Sequence, residues 1–367
     1  MYNALQLKKE FNKMEHGTSR MSAIKEAIRL ADENKDYAYS VGFRLDLCDE
    51  SCFYGDSMDM LVVFPQVLKL IDEHPDLPST YDKPYFVNAL DYVVFVYKWV
   101  IGTCDRYYQI PLKDCEKFFE DFKKRTTAFG YNLKPYYSNM YDFYRMIDEN
   151  YADNCFKNYL KLPLDGNGDC EACGRNKEIA YYLRKGNLKK AEMLSKDIED
   201  FTLTCDGGYE AWLRMKSEYL DYYMEKQDFD NAMKYINQIK RKLMRTDKSE
   251  YDYWEKFLYC YTYTDIGKAL KLYKTYWKKW QDERCPSDKF EAYMFIAVFF
   301  KELEKQRKRS KIKLELDKSF PLYNDDGEYV ITKLRDFYYN SAKDIALKFD
   351  KRNGTDYFMN RLNEKYS

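Results

Sequence analysis

Apolar residues recur along this chain at intervals of three and four, from one end to the other, and the two-residue alternation of a half-buried strand is scarce. The stripes predict helices over Ser22–Ala31, Met58–Glu73, Tyr85–Ile101, Leu112–Phe129, Lys177–Leu183 and Leu188–Ile198. They continue over Tyr209–Glu225, Phe229–Leu243, Tyr251–Tyr263, Gly267–Trp280, Lys289–Arg307 and Tyr329–Phe349. Gly, Pro, Asn and Asp fill the gaps, as in HPDLPSTYDKP, LPLDGNGD, TCDGGY, RCPSD and SFPLYNDDGE, and these residues end helices or form turns. Paired helices joined by short turns follow.

The pairs repeat. Aligning YYLRKGNLKKAEMLSKDI (Tyr181–Ile198) with YYMEKQDFDNAMKYINQI (Tyr222–Ile239) brings Ala191 onto Ala232, 41 residues apart. Ala269 follows 37 later, Ala152 precedes Ala191 by 39, and Cys115 stands a further 37 upstream. These spacings slightly exceed the roughly 34 residues of a tetratricopeptide unit but suit its helix–turn–helix logic. An aromatic on the first helix (Tyr182, Tyr223) and a small residue on the second let the two pack closely. A lone pair cannot bury its apolar face, so neighbours must stack. The expected fold is all-α, an α-solenoid of TPR-like helix–turn–helix repeats with a helical C-terminal cap. Residues 1–110 are read as divergent N-terminal helices, 111–285 as the repeats and 286–367 as the cap. A non-repetitive helical bundle is the competing architecture.

Composition narrows the function classes. Lys plus Arg equals Asp plus Glu at 61 each, so no net field draws the chain to nucleic acid or to an anionic membrane. The N-terminal MYNALQLKKEFNKMEHG lacks an apolar core, which reads as no secretory signal. The most apolar run, Tyr92–Gly102, is too short to span a bilayer and carries Lys98. Ten cysteines in such a chain read as reduced thiols in the cytoplasm rather than a disulfide framework. The 38 tyrosines are not read as a binding signature. Only His16 and His74 are available as imidazoles.

The densest candidate chemistry lies in DGNGDCEACGRNKEIAYYL (Asp165–Leu183). A calcium loop from Asp165 finds Asn167 and Asp169 in place, but Cys170 stands where Gly is needed and Asn176 where Glu is needed. Cys170 and Cys173 form the C-x2-C half of a zinc site, whose spacing turns two thiolates toward one ion. Cys205, in the turn after the following helix pair, is the nearest third ligand, with Asp206 and Glu210 as possible oxygen donors. Buried thiols packed at helix ends are the alternative, with no cofactor at all; Cys48 and Cys52 are a weaker pair. A catalytic cysteine lacks a neighbouring base, and no P-loop, G-x-G-x-x-G, G-x-S-x-G or H-E-x-x-H occurs.

Three further clusters have two readings each. KQRKRSKIK (Lys305–Lys313) is either a solvated helix end or a contact for phosphate or an acidic partner. Lys98 either snorkels to solvent or pairs with a buried acid. In FDKRNGTDYF (Phe349–Phe358), Asn353-Gly354 stops a helix and gathers Asp350, Arg352, Thr355 and Asp356. That group is either a cap held by a local Arg–Asp pair or a partner contact.

With these residues in hand, the chain resembles a bacterial tetratricopeptide-like (TPR-like) helical-repeat family without an established activity. The pieces that carry the resemblance are VYKWVIG, the D-C-x-A-C segment running through AYYLRKGNLKKAEMLSKDI, Thr204–Cys205, and a C-terminal stretch ending in F-D-x-R-N-G-x-D. Together they cover most of the chain from Tyr92 onward. The family's third cysteine is usually followed a few residues later by histidine. Here Tyr209 and Glu210 stand in that region, so a fourth metal ligand would have to come from Glu210.

The functional expectation is a non-enzymatic cytoplasmic helical-repeat protein that binds a protein or peptide on its concave face. First helices of the pairs would line the groove, which points to Tyr182, Arg214, Tyr222 and Tyr253. Lys98, Asp350, Arg352, Asn353 and Asp356 are further contact candidates. The alternative is a regulatory sensor switched by a small peptide, or by metal or redox change at Cys170, Cys173 and Cys205.

Overall fold

The computed structural model describes residues 2–75, 77, 89–205, 208–243, 253–306 and 310–367. Within them the chain is all-α apart from one two-stranded ribbon, as its periodicity predicts. Two compact units share it. The first is Met1–Gly168 with two later returns, Arg284–Ser287 and Lys351–Thr355; the second is the remainder. The division falls inside the Gly/Asp turn before Cys170, whereas the sequence reading drew its boundaries after residues 110 and 285. No helix among the described residues is long and apolar enough to cross a membrane.

The first unit contains α1 (Ala4–Phe11), α2 (Thr18–Glu33), α3 (Tyr37–Tyr54), α4 (Met58–Glu73), α5 (Ala89–Ile101), α6 (Leu112–Ala128), α7 (Lys134–Tyr144) and α8 (Glu149–Lys161). Neighbours in sequence pack as pairs, and α3 also packs on α5. The α3 helix escaped the sequence reading because it is wrapped on several sides. Ser40, Gly42, Arg44 and Glu50 are buried along with Phe43 and Leu47, so no polar face marks its period. Predicted residues 85–88 of the fifth helix lie outside the described residues.

One carboxyl in this unit is set by burial. Asp105 is pushed up to about 6, chiefly by desolvation, with Arg145 opposing and Asp142 reinforcing. The folded chain therefore keeps a proton that the unfolded chain has lost, and stability falls as pH rises from about 4 to about 6. Asp105→Asn is expected to flatten that slope in urea melts taken across the window. An unchanged slope would mean that another group sets it.

The second unit contains α9 (Glu171–Arg184), α10 (Leu188–Glu199), α11 (Glu210–Glu225), α12 (Phe229–Leu243), α13 (Trp254–Thr264) and α14 (Ile266–Asp282). These form three successive hairpins, with α11 packed on α9 and α13 on α12. Most of α15 (Pro286–Gln306) and α16 (Ile331–Asn353), and all of α17 (Tyr357–Tyr366), complete it. Tyr259 and Tyr273 meet Phe295 and Phe300 of α15 at ring-centroid distances of 4.7 and 4.9 Å.

A repeated joint explains the period. Lys35, Gly186 and Gln227 all have φ between 54 and 71°, the left-handed conformation that ends a helix. The next residue in each case, Asp36, Asn187 or Asp228, returns its N–H to a carbonyl five residues back. Its side chain then caps the second helix, accepting from the N–H three residues on. Asp148 and Asp265 cap α8 and α14 in the same way. Four residues past each of these five caps comes a fully buried small residue: Ser40, Ala152, Ala191, Ala232 or Ala269. The alanines legible in the sequence mark where helices cross closely.

Gly186 meets nothing within 4 Å of a would-be Cβ, so only backbone strain opposes a side chain there. Gly186→Ala is expected to cost about 1 kcal/mol, and Gln227→Gly to gain somewhat less. Chemical denaturation reads both. A Gly186→Ala protein as stable as its parent would deny the shared joint.

The C-terminal cap is not wholly helical. β1 (Lys311–Lys313) pairs antiparallel with β2 (Glu328–Val330), bringing buried Ile312 opposite buried Tyr329. Lys311 reaches Glu328 at 2.7 Å. The basic run therefore begins on α15, where Lys305 pairs with Glu302 at 2.6 Å, and ends in a strand. Residues 307–309 lie outside the described residues. Three-residue strands are too short to show an alternation, which is why the ribbon left no sequence signal.

Candidate metal centre

Cys170 is the N-cap of α9, and its Sγ accepts the N–H of Cys173 at 3.5 Å. The C-x2-C spacing thus runs from the cap to the first helical turn. Both residues stand at the N-terminal end of α9, where backbone N–H groups have no partner within the helix. The third thiol comes from the connection between α10 and α11. There Phe201 adopts φ 57°, and the Leu203 N–H and Thr202 hydroxyl both donate to the Asp197 carbonyl, at 2.9 and 3.0 Å. The chain reverses, and Asn176 Nδ2 pins α9 to α11 through the Ala211 carbonyl at 2.8 Å.

Cys205 Sγ consequently lies 3.6 Å from Cys173 Sγ, and the three sulfurs are all within 4.8 Å of one another. A tetrahedron with zinc–sulfur bonds of about 2.3 Å places sulfurs about 3.8 Å apart, so small side-chain shifts suffice to close a site. All three are free thiols. Burial, then the neighbouring thiols, pushes Cys173 up; the Arg214 guanidinium, which donates to its Sγ at 3.9 Å, opposes this. Burial likewise raises Cys205. Cys173 and Cys205 thus keep their protons at neutral pH, and a divalent cation would reverse this by taking their place. Three soft donors fit zinc and exclude calcium, which takes oxygen.

Glu210, the expected fourth ligand, stands outside this group, and its carboxylate folds over Gly208. Asp206 lies outside the described residues. Cys48 and Cys52 join no such group among the described residues; burial pushes the Cys48 thiol well up.

The expected contact residues divide sharply. Tyr182 and Tyr222 are half-buried and Arg214 is exposed, on α9 and α11, the first helices of consecutive hairpins. Tyr253 is 8% exposed and stacks near Phe257, so it belongs to the core and not to a groove. Lys98 does not snorkel to solvent. It is 5% exposed, donates to the Gly168 carbonyl at 2.9 Å and lies 3.6 Å above the Phe95 ring. The Asn167 and Gly168 backbone oxygens receive its ammonium inside the fold. Lys134 does the same for the carbonyls ending α8, Tyr159 and Leu162, at 3.0 and 2.7 Å.

The F-D-x-R-N-G-x-D residues are structural as well. Asp350 is buried and accepts the N–H groups of Phe358 and Met359, both at 2.9 Å, capping α17; burial raises its carboxyl against those two bonds. Arg352 donates to the Cys104 and Tyr107 carbonyls at 2.7 and 3.2 Å and to Asn353 Oδ1 at 2.7 Å. Asn353 is buried, Gly354 takes φ 69° as the stop, and of the four polar candidates only Asp356 is exposed. Asp350 thus caps α17, and Arg352 ties down the turn after α5. No family model matches this chain, and no curated protein matches it.

Proposed function

We propose that this chain is a non-enzymatic, cytoplasmic helical-repeat protein of TPR-like type, with a zinc ion on Cys170, Cys173 and Cys205 fastening two successive repeats. Its partner, a protein or peptide, binds the face lined by the first helices. The observation that supports this best is the convergence of three thiols from two separate segments to within 4.8 Å of one another. Zinc held there cross-links the start of α9 to the segment before α11 and supplies rigidity rather than catalysis. Tyr182, Arg214 and Tyr222 give that face its accessible side chains. The Cys173–Cys205 contact favours one second reading, a sensor in which oxidation of that pair competes with metal.

Elemental analysis of protein purified without chelator or added zinc tests the metal. Close to one zinc per chain is expected, and well under half in Cys173→Ser. Reduced wild-type protein that takes up no zinc would sink the metal reading, and a Cys173–Cys205 disulfide in its place would favour the sensor. For the partner, the expected result is a protein retained by the wild type and lost by Tyr182→Ala/Tyr222→Ala at unchanged melting temperature. Equal retention by that variant would remove the proposed face.

A further inference from the structure

Phe201, Tyr209 and Trp212 converge on a single ammonium group. Lys242 Nζ lies 3.1 Å from the Tyr209 ring centroid, 4.8 Å from Phe201 and 5.9 Å from Trp212. Phe201 stands edge-on to Tyr209, with ring planes 87° apart, and close to parallel with Trp212, at 18°. Ring faces carry negative potential, so three of them around one point make a cation trap. Phe201 and Tyr209 are each 41% exposed, so the trap opens to solvent.

The helix stop before Cys205 needs a left-handed residue at position 201, but it does not need a ring there. The Phe201 φ of 57° is the left-handed conformation, which strains a bulky residue and which glycine would adopt freely at a helix end. A strained backbone that presents an exposed ring is the signature of a residue kept for a contact.

We propose that Phe201, Tyr209 and Trp212 form a binding site for a methylated organic ammonium, occupied in the free protein by the chain's own Lys242. A primary ammonium is strongly hydrated and gives up water reluctantly, whereas a quaternary one spreads its charge over methyl groups and fits ring faces better. The ligand therefore displaces Lys242, whose flexible four-carbon stem lets its head withdraw to solvent.

Calorimetric titration of the full chain with choline, and with its uncharged isostere 3,3-dimethylbutan-1-ol, tests the site. Choline is expected to bind at least about tenfold more tightly than the isostere, and Lys242→Ala to tighten it by about fivefold or more by removing the competitor. Phe201→Gly is expected to lose choline by about tenfold without lowering the melting temperature, because the same change relieves the backbone. A peptide carrying trimethyllysine forms a parallel arm; tighter binding of the peptide than of choline assigns the ligand to a protein side chain, and the reverse assigns a free small cation. The proposal is overturned if neither cation binds wild type or Lys242→Ala better than the isostere, or if Phe201→Gly binds as well as wild type.

Discussion

Cys173→Ser is expected to lower the stability of the zinc-loaded second unit by about 3–4 kcal/mol, and by under about 1 kcal/mol once a chelator has stripped the metal. A ligand that binds only the folded state adds RT ln(1 + [L]/Kd), about 4 kcal/mol at a thousandfold excess over Kd. On the proposed zinc site, Cys173 is the residue through which that gain would pass. It lies 3.6 Å from Cys205, and its own N–H holds the Cys170 sulfur in place. Without metal the substitution exchanges one polarisable sulfur for a hydroxyl in a half-buried contact, a small change. Melting curves with and without chelator separate the two cases. Equal losses in both would mean that the thiols contribute only packing.

Tyr338→Ala is expected to be the most damaging of the simple truncations, at about 3–5 kcal/mol. Its ring is 1% exposed and lies within 5.1–6.3 Å, centroid to centroid, of Tyr273, Tyr293, Phe300, Phe320 and Phe337. Its hydroxyl sits 2.9 Å from that of Tyr273, and burial pushes both phenols up, so the pair shares neutral hydroxyl protons. Tyr338→Phe separates ring from hydroxyl. It keeps the packing and strands the Tyr273 hydroxyl, at a cost of about 1–2 kcal/mol, part of which the added Tyr273→Phe should recover. If Tyr338→Phe proved as costly as Tyr338→Ala, the hydroxyl pair rather than the aromatic cluster would hold this core. Thermal or urea unfolding of wild type, Tyr338→Phe, Tyr273→Phe and the double variant gives the cycle.

Periodicity located the amphipathic helices closely where one face is polar. Met58–Glu73 and Phe229–Leu243 were read with the bounds they have, because each shows an unbroken stripe between clear stops. Where burial is all round, as in α3, or where aromatic residues crowd, as in KPYYSNMYDFY of α7, the stripe vanishes and so did the prediction. Cys205 could be brought near Cys170 and Cys173 on paper, since an antiparallel hairpin returns the chain to its start. Lys98 and Asp350 show the limit of that reasoning. A charged residue inside an apolar run looks the same in sequence whether it reaches water, a partner or a backbone group. The aromatic cage was illegible for another reason: Phe201, Trp212 and Lys242 lie on different segments and meet only through the packing of α10, α11 and α12.

The first unit also constrains the order in which the protein can be made. Its body ends at Gly168, yet it takes in Arg284–Ser287 and Lys351–Thr355. Arg352 supplies the guanidinium that holds the Cys104 and Tyr107 carbonyls, and the Thr355 hydroxyl donates to Met146 at 3.2 Å. A ribosome delivers those groups more than 180 residues after Gly168 has emerged. The nascent first unit must wait, incomplete and with those carbonyls lacking these donors, while the repeats behind it fold. Translation speed and chaperone cover over that interval therefore bear on its yield more than on that of the hairpins, whose joints are satisfied by residues close in sequence.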